Sequence, residues 1–130
     1  MRLGACAAHC LTRLQAFPSP EIEFERLLTG LTEHTASSWR AFPERVLNNG
    51  DLDRLLAAVE RRVAGEPVAY ILSEQGFFDL SLKVTKDTLI PRPETEHLVE
   101  WILNQQEPHL SILDLGTGTG AIACAIAKAK

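Results

Sequence analysis

Three glycines occupy every second position in Gly116-Thr117-Gly118-Thr119-Gly120. With no side chains in the way, the backbone can turn sharply there and approach a ligand closely. The loop follows the apolar run Leu110-Ser111-Ile112-Leu113-Asp114-Leu115 without a spacer and precedes the helix-forming Ala121-Ile122-Ala123-Cys124-Ala125-Ile126-Ala127. Strand, glycine loop and helix make the first half of a βαβ unit. Such a unit brings backbone N–H groups and a helix N-terminus to whatever binds at the strand's carboxyl end. The spacing is Gly-x-Gly-x-Gly, not the Gly-x-Gly-x-x-Gly of dinucleotide sites, and the Lys-Ser/Thr of a phosphate-binding loop is missing. Asp114 stands two positions before the first glycine. A carboxylate there repels phosphates and suits a ligand with an ammonium group. S-adenosylmethionine, with an α-ammonium, a sulfonium and no phosphate, fits. On these residues alone, a nucleotide site and a glycine turn with a purely structural use stay open.

The other reactive side chains point to bland roles. Cys6, His9 and Cys10 share one helical face by their i, i+3, i+4 spacing, but a fourth ligand is lacking. They read as a buried helix face, so no metal site is expected. The three cysteines cannot all pair within the chain, which argues against a disulfide framework and for a reducing cytoplasm. His34, His97 and His109 are isolated and read as surface or packing residues. Leu3-Gly4-Ala5 before Cys6 looks superficially like a lipoprotein cleavage box. The apolar region of about 7–15 residues that a leader needs does not fit ahead of Cys6, so none is expected.

The 130 residues amount to about one small domain, and 45% of them are hydrophobic, as in globular proteins. The balance of 13 Lys and Arg against 17 Asp and Glu gives −4, which argues against direct binding of nucleic acid. No apolar run approaches the roughly 18–20 residues that span a bilayer, so no membrane contact is expected.

The elements that must position the loop change character twice along the chain. Residues 1–66 read as helices. Leu3, Cys6, Cys10, Leu14 and Phe17 recur at helical spacing up to Pro18-Ser19-Pro20. Ser19 is placed to cap a second helix whose stripe is Ile22, Leu27, Leu28 and Leu31. A weaker segment around residues 37–42 holds Trp39. Asn49-Gly50-Asp51 reads as turn and cap for a helix carrying Leu52, Leu55, Leu56, Val59 and Val63, which Gly65 and Pro67 end. Residues 67–92 switch to strand chemistry, with Phe78, Leu80, Leu82 and Val84 alternating on one face, and a hairpin is expected. Pro93 can open the next helix, whose buried face is Leu98, Val99, Ile102 and Leu103, with Trp101 at its margin. Residues 110–115 read as a buried parallel strand.

Two segments together carry a resemblance. Leu89-Ile90-Pro91-Arg92-Pro93-Glu94-Thr95-Glu96-His97-Leu98-Val99 and Ile112-Leu113-Asp114-Leu115-Gly116-Thr117-Gly118-Thr119-Gly120-Ala121-Ile122-Ala123 resemble the peptide chain release factor glutamine N5-methyltransferases. Gly65-Glu66-Pro67-Val68-Ala69-Tyr70-Ile71-Leu72 is similar to that family's join between domains. The resemblance implies an α + α/β chain in three parts. Residues 1–66 would form a helical bundle that recognises the substrate, and 67–92 a β-hairpin linker. Residues 93–130 would be the first strand-loop-helix of a truncated Rossmann-like, S-adenosylmethionine-dependent methyltransferase domain.

It further implies methyl transfer to the side-chain amide of the glutamine in a release factor's Gly-Gly-Gln motif. Asp114, Gly116, Thr117, Gly118, Thr119 and Gly120 would bind the cofactor, with Arg92 near the mouth of the substrate pocket. The full-length protein would be a cytoplasmic monomer. The family's Asn-Pro-Pro-Tyr motif does not occur in these 130 residues, so no catalytic residue is assigned and no transfer is expected from them alone. A non-catalytic module that binds release factors, or a methyltransferase of ribosomal protein glutamine or a nucleic acid base, are the alternatives.

Overall fold

The computed structural model describes residues 1–105 and 111–130. It divides into two compact units, Met1–Leu72 and Ser73–Lys130.

In the first unit, helices α1 (Leu3–Leu14), α2 (Pro20–Leu31) and α4 (Asn49–Val63) pack pairwise. The short α3 (Ser38–Ala41) lies against α1, and α5 (Val68–Leu72) against α2 and α4. Leu3, Cys6, Cys10 and Leu14 of α1 meet Phe24, Leu27 and Leu28 of α2 and Leu55 and Val59 of α4 in one core. Each set follows the 3.6-residue period, so a single apolar stripe per helix faces inward. Phe24 fills the place expected of Ile22, which is 60% exposed. Two residues are about 200° of helix, so Ile22 and Phe24 point to opposite sides.

Two other details differ from the expectation. Ser19 precedes α2, but its side chain makes no capping bond. Asn48, not the following triplet, caps α4: its Oδ1 accepts from the Asp51 N–H at 2.8 Å, and its Nδ2 donates to Asp51 Oδ2 at 2.8 Å. Gly65, at φ +100°, closes α4 in the left-handed conformation that glycine adopts without strain. Pro67 then starts a helix instead of a strand, its carbonyl accepting from Tyr70 and Ile71 N–H at 3.0 and 3.1 Å. Val68 and Ile71 are buried in the first core, which carries that unit to Leu72.

Arg62 of α4 grips Glu23 of α2 through two bonds of 2.8 and 3.0 Å, with its guanidinium 3.7 Å from the centre of the Phe17 ring. Arg13 likewise clasps Glu60, and its hydrogen bonds hold that carboxyl below its ordinary range.

Two helical glycines make opposite demands. A Cβ on Gly4 would lie 2.8 Å from Pro43 Cβ and 3.3 Å from the Pro43 carbonyl oxygen, whereas one on Gly30 would meet only the δ-methyls of Leu72. Gly4→Ala is expected to lower stability by about 1–3 kcal/mol, the usual cost of overpacking against a fixed wall. Gly30→Ala gains about 1 kcal/mol of helix propensity while the leucine turns aside, so it should stay near wild type or exceed it. Urea midpoints followed by circular dichroism separate the two. Equal midpoints for the variants would contradict this account.

The second unit begins with a hairpin, β1 (Glu74–Phe77) antiparallel to β2 (Leu80–Lys83), in register Glu74↔Lys83 through Phe77↔Leu80. The expected hairpin is present, but Phe78 belongs to its turn at φ +54° and is 37% exposed. Phe77, 1% exposed, takes the core position. The alternation from 78 to 84 hid the turn, which Asp79 tolerates well. Lys128 fixes that turn to α7 (Ala121–Ala129), donating to the Asp79 carbonyl at 2.9 Å and pairing with its carboxylate at 3.0 Å.

A 3-10 turn (Pro93–Thr95) leads into α6 (Glu96–Leu103). Phe77 of β1, Val99 of α6 and Ala121, Ala125 and Ile126 of α7 form the second core. Leu98 and Trp101 are 45% and 62% exposed, so α6 buries a narrower stripe than expected. The parallel strand expected at 110–115 is a further correction. Leu110 and His109 lie outside the described residues, and Ser111–Leu115 form no strand. Leu113 and Leu115 are 81% and 82% exposed. A parallel strand needs neighbours on its edges and cover on both faces, and the sheet among the described residues is the hairpin alone.

Candidate functional site

The glycine loop alternates between hands. Gly116, Gly118 and Gly120 have φ of +75°, +56° and +74°. A Cβ at Gly116 would meet nothing within 4 Å. Backbone conformation, not crowding, therefore requires glycine, since an L-residue there costs roughly 1–2 kcal/mol. The Gly120 N–H donates to the Thr117 carbonyl at 2.9 Å, tightening the loop, and the Gly120 carbonyl accepts from Cys124 N–H at 2.8 Å to start α7. No side chain caps this helix. The N–H groups of its first turn lack intrahelical acceptors.

The loop forms one wall of a cavity of about 170 Å³. Gly116, Thr117, Gly118 and Thr119 line it with Ala121 and Ile122 at the start of α7. Leu89, Ile90, Pro91, Arg92 and Thr95 form the facing wall, and Phe77 completes it. The two segments quoted together in the sequence thus meet at one cavity. Gly120 is not among the lining residues and serves instead at the head of α7.

Asp114 does not line the cavity either. Its Oδ2 is nonetheless buried with no hydrogen-bond partner among the described residues. A buried polar oxygen left without a donor costs about 1–3 kcal/mol, so this one calls for a donor from outside the described residues. An ammonium group is such a donor. The glycine conformations, the open loop and this oxygen all suit the amino-acid end of S-adenosylmethionine.

Sequence reasoning missed Phe77 and Thr95 as lining residues. Thr95 lay within a quoted motif, three residues after Arg92, and that spacing on a tight turn was its available signal.

The cysteines behave as core. Cys6 and Cys10 Sγ lie 3.9 Å apart and both are fully buried, while His9 faces outward. The bond to Cys6 and burial push the Cys10 thiol up, as suits a packed thiol. Among the described residues no cluster of three metal-ligating side chains occurs, and no helix is long and apolar enough to cross a membrane.

Comparison with known proteins agrees with this geometry. The release factor glutamine methyltransferase of Coxiella burnetii is 50% identical over 111 residues, covering 84% of this chain and 40% of its own length. That of Aliivibrio fischeri is 47% identical over 116 residues, covering 88% and 41% respectively. The Escherichia coli K12 enzyme of the same name is 43% identical over 121 residues, covering 92% and 44%. The chain thus spans about two fifths of the length of these curated relatives. The family model for the PrmC N-terminal domain matches residues 6–72, ending where the first compact unit ends. By that match over half its length, the chain belongs to the PrmC family and carries the family's N-terminal domain.

Proposed function

We propose that these residues are the substrate-docking and cofactor-loop portion of a protein-(glutamine-N5) methyltransferase acting on peptide chain release factors in the cytoplasm. The observation that carries this reading is the meeting of the Ile90-Pro91-Arg92 segment and the glycine loop at one cavity, with the donor-seeking Asp114 beside it. The names of the relatives support the reaction class. In this reading the helical unit, 1–66 with its extension to Leu72, docks the release factor. Residues 67–92 link it to the methyltransferase domain that begins at Pro93.

S-adenosylmethionine, when bound, supplies a methyl group activated by its sulfonium. Asp114 accepts from the ammonium of its amino-acid tail, a charge-assisted bond. Gly116, Gly118 and Gly120 let the backbone approach, and the N–H groups at the head of α7 orient the tail. Thr117 and Thr119 border the same cavity. Arg92, exposed at the edge, faces the incoming ligand. An amide nitrogen is a poor nucleophile, and aligning it demands groups that hold its two N–H bonds. The Asn-Pro-Pro-Tyr motif that would do so is not among these 130 residues. They supply binding and not the transfer.

Titrations followed by NMR test this. S-adenosylmethionine is expected to shift the amides of the glycine loop, and a release factor those of the helical unit. Mass spectrometry should find no methylated glutamine after incubation with both. Unmoved loop amides would remove the cofactor reading, and unmoved helical amides the docking reading.

A further inference from the structure

Arg92 and Thr95 stand out among the groups on the cavity wall because neither side chain has a partner among the described residues, although both border the cavity. Elsewhere the half-buried threonines satisfy their hydroxyls within the chain. Thr32 Oγ1 donates to the Leu28 carbonyl at 2.7 Å, and Thr88 Oγ1 to the Thr85 carbonyl at 2.9 Å. Arg13, Arg40, Arg54, Arg61 and Arg62 are each paired with a carboxylate. Arg92 has Glu94 and Glu96 close by in sequence and pairs with neither. The backbone brings the two together: the Thr95 N–H donates to the Arg92 carbonyl at 3.0 Å across the turn Pro93–Thr95. Residues three apart on such a turn fall on one side of it.

The opposite wall has the complementary chemistry. Asp114, two residues ahead of the loop, has an unpartnered oxygen that calls for a cation, while Arg92 is a cation that calls for an anion. An α-amino-acid tail carries both charges on one carbon. We propose that Arg92 and Thr95 hold the α-carboxylate of that tail, so that the site selects S-adenosylmethionine over its decarboxylated analogue. This rests on the cofactor reading of the cavity given above and goes beyond it by naming a specificity device. The guanidinium supplies a charge-assisted bond and the threonine hydroxyl a second donor.

The test titrates the 130-residue chain with S-adenosylmethionine and, separately, with decarboxylated S-adenosylmethionine, following the amides of Gly116, Gly118 and Gly120 by NMR. Wild type is expected to bind the first at least about tenfold more tightly, the scale of one hydrogen bond to a charged group. Arg92→Met should remove about that tenfold preference, and Thr95→Val about threefold of it, by loss of affinity for S-adenosylmethionine alone. Thr95→Ser keeps the hydroxyl and should keep the preference. Arg92 is exposed, so its replacement leaves the second core intact, and unchanged hairpin amides verify that. If the variants bind both compounds with the wild-type ratio, the carboxylate assignment is overturned while the cofactor reading stands. If wild type binds neither compound, the cofactor reading falls and this assignment with it.

Discussion

Phe24→Ala is expected to leave the helical unit barely folded. The ring is fully buried, and it meets Trp39 edge-on at 5.9 Å, the geometry in which aromatic pairs attract. Truncating a buried phenylalanine to alanine costs about 3–5 kcal/mol, because the transfer energy of the ring and the cavity left behind add. A unit of this size holds roughly 4–11 kcal/mol in total, at about 0.05–0.15 kcal/mol per residue. Little margin remains. Trp39 is a built-in reporter, its indole N–H donating to Glu25 Oε1 at 3.2 Å and the Arg40 guanidinium lying 4.1 Å from its ring centre. Urea unfolding followed by Trp39 fluorescence should lose most of its midpoint in the variant. Phe24→Leu, which refills most of the volume, should lose less than half as much. A shift of under about 1 kcal/mol for the alanine variant would mean that α2 is not anchored through this ring.

The helical unit was largely legible because its signals are local. Cys6, Cys10 and Leu14 needed only their spacing to be placed on one buried face, and Gly65 needed only its position after Val63 to be read as a terminator. Errors arose where two residues compete for one role. Ile22 and Phe24 are both apolar and differ only in which one lies on the stripe set by Leu27 and Leu28. Asn48 and Asp51 can both cap, and the reciprocal bond between their side chains decides it.

In the second unit the deciding information is not local. Phe77 and Phe78 are chemically identical, and only the pairing of Phe77 with Leu80 sets which is buried. The alternation from Phe78 to Val84 is genuine, but a two-residue shift of the turn changes which side chain it serves. The run at 112–115 has the composition of a parallel strand, yet composition does not supply the neighbouring strands that such an element requires. The site was half-legible in the same sense. Glycine spacing announced a left-handed loop, while the facing wall with Thr95 depends on a tertiary meeting that no spacing reveals.

Asp114 gives the sharpest separation between a structural residue and a ligand-binding one, because the two roles require opposite signs in one variant. If the carboxylate served the fold, Asp114→Asn would destabilise the chain. Its Oδ2 is instead buried and unpartnered, so the folded state bears the cost of desolvating that oxygen without a compensating bond. Neutralising it removes part of that cost, and stability should hold or rise by up to about 1 kcal/mol. Binding should move the other way. A charge-assisted bond to an ammonium contributes about 1.5–3 kcal/mol, so affinity for S-adenosylmethionine should fall about 10- to 100-fold. Lowering ionic strength should not restore it, since the missing interaction is a short contact out of bulk solvent and not a screened surface attraction. Thermal unfolding and NMR titration on the same sample read both signs together. A destabilised variant with unchanged affinity would assign Asp114 to the fold and leave the cavity without its cation-binding pole.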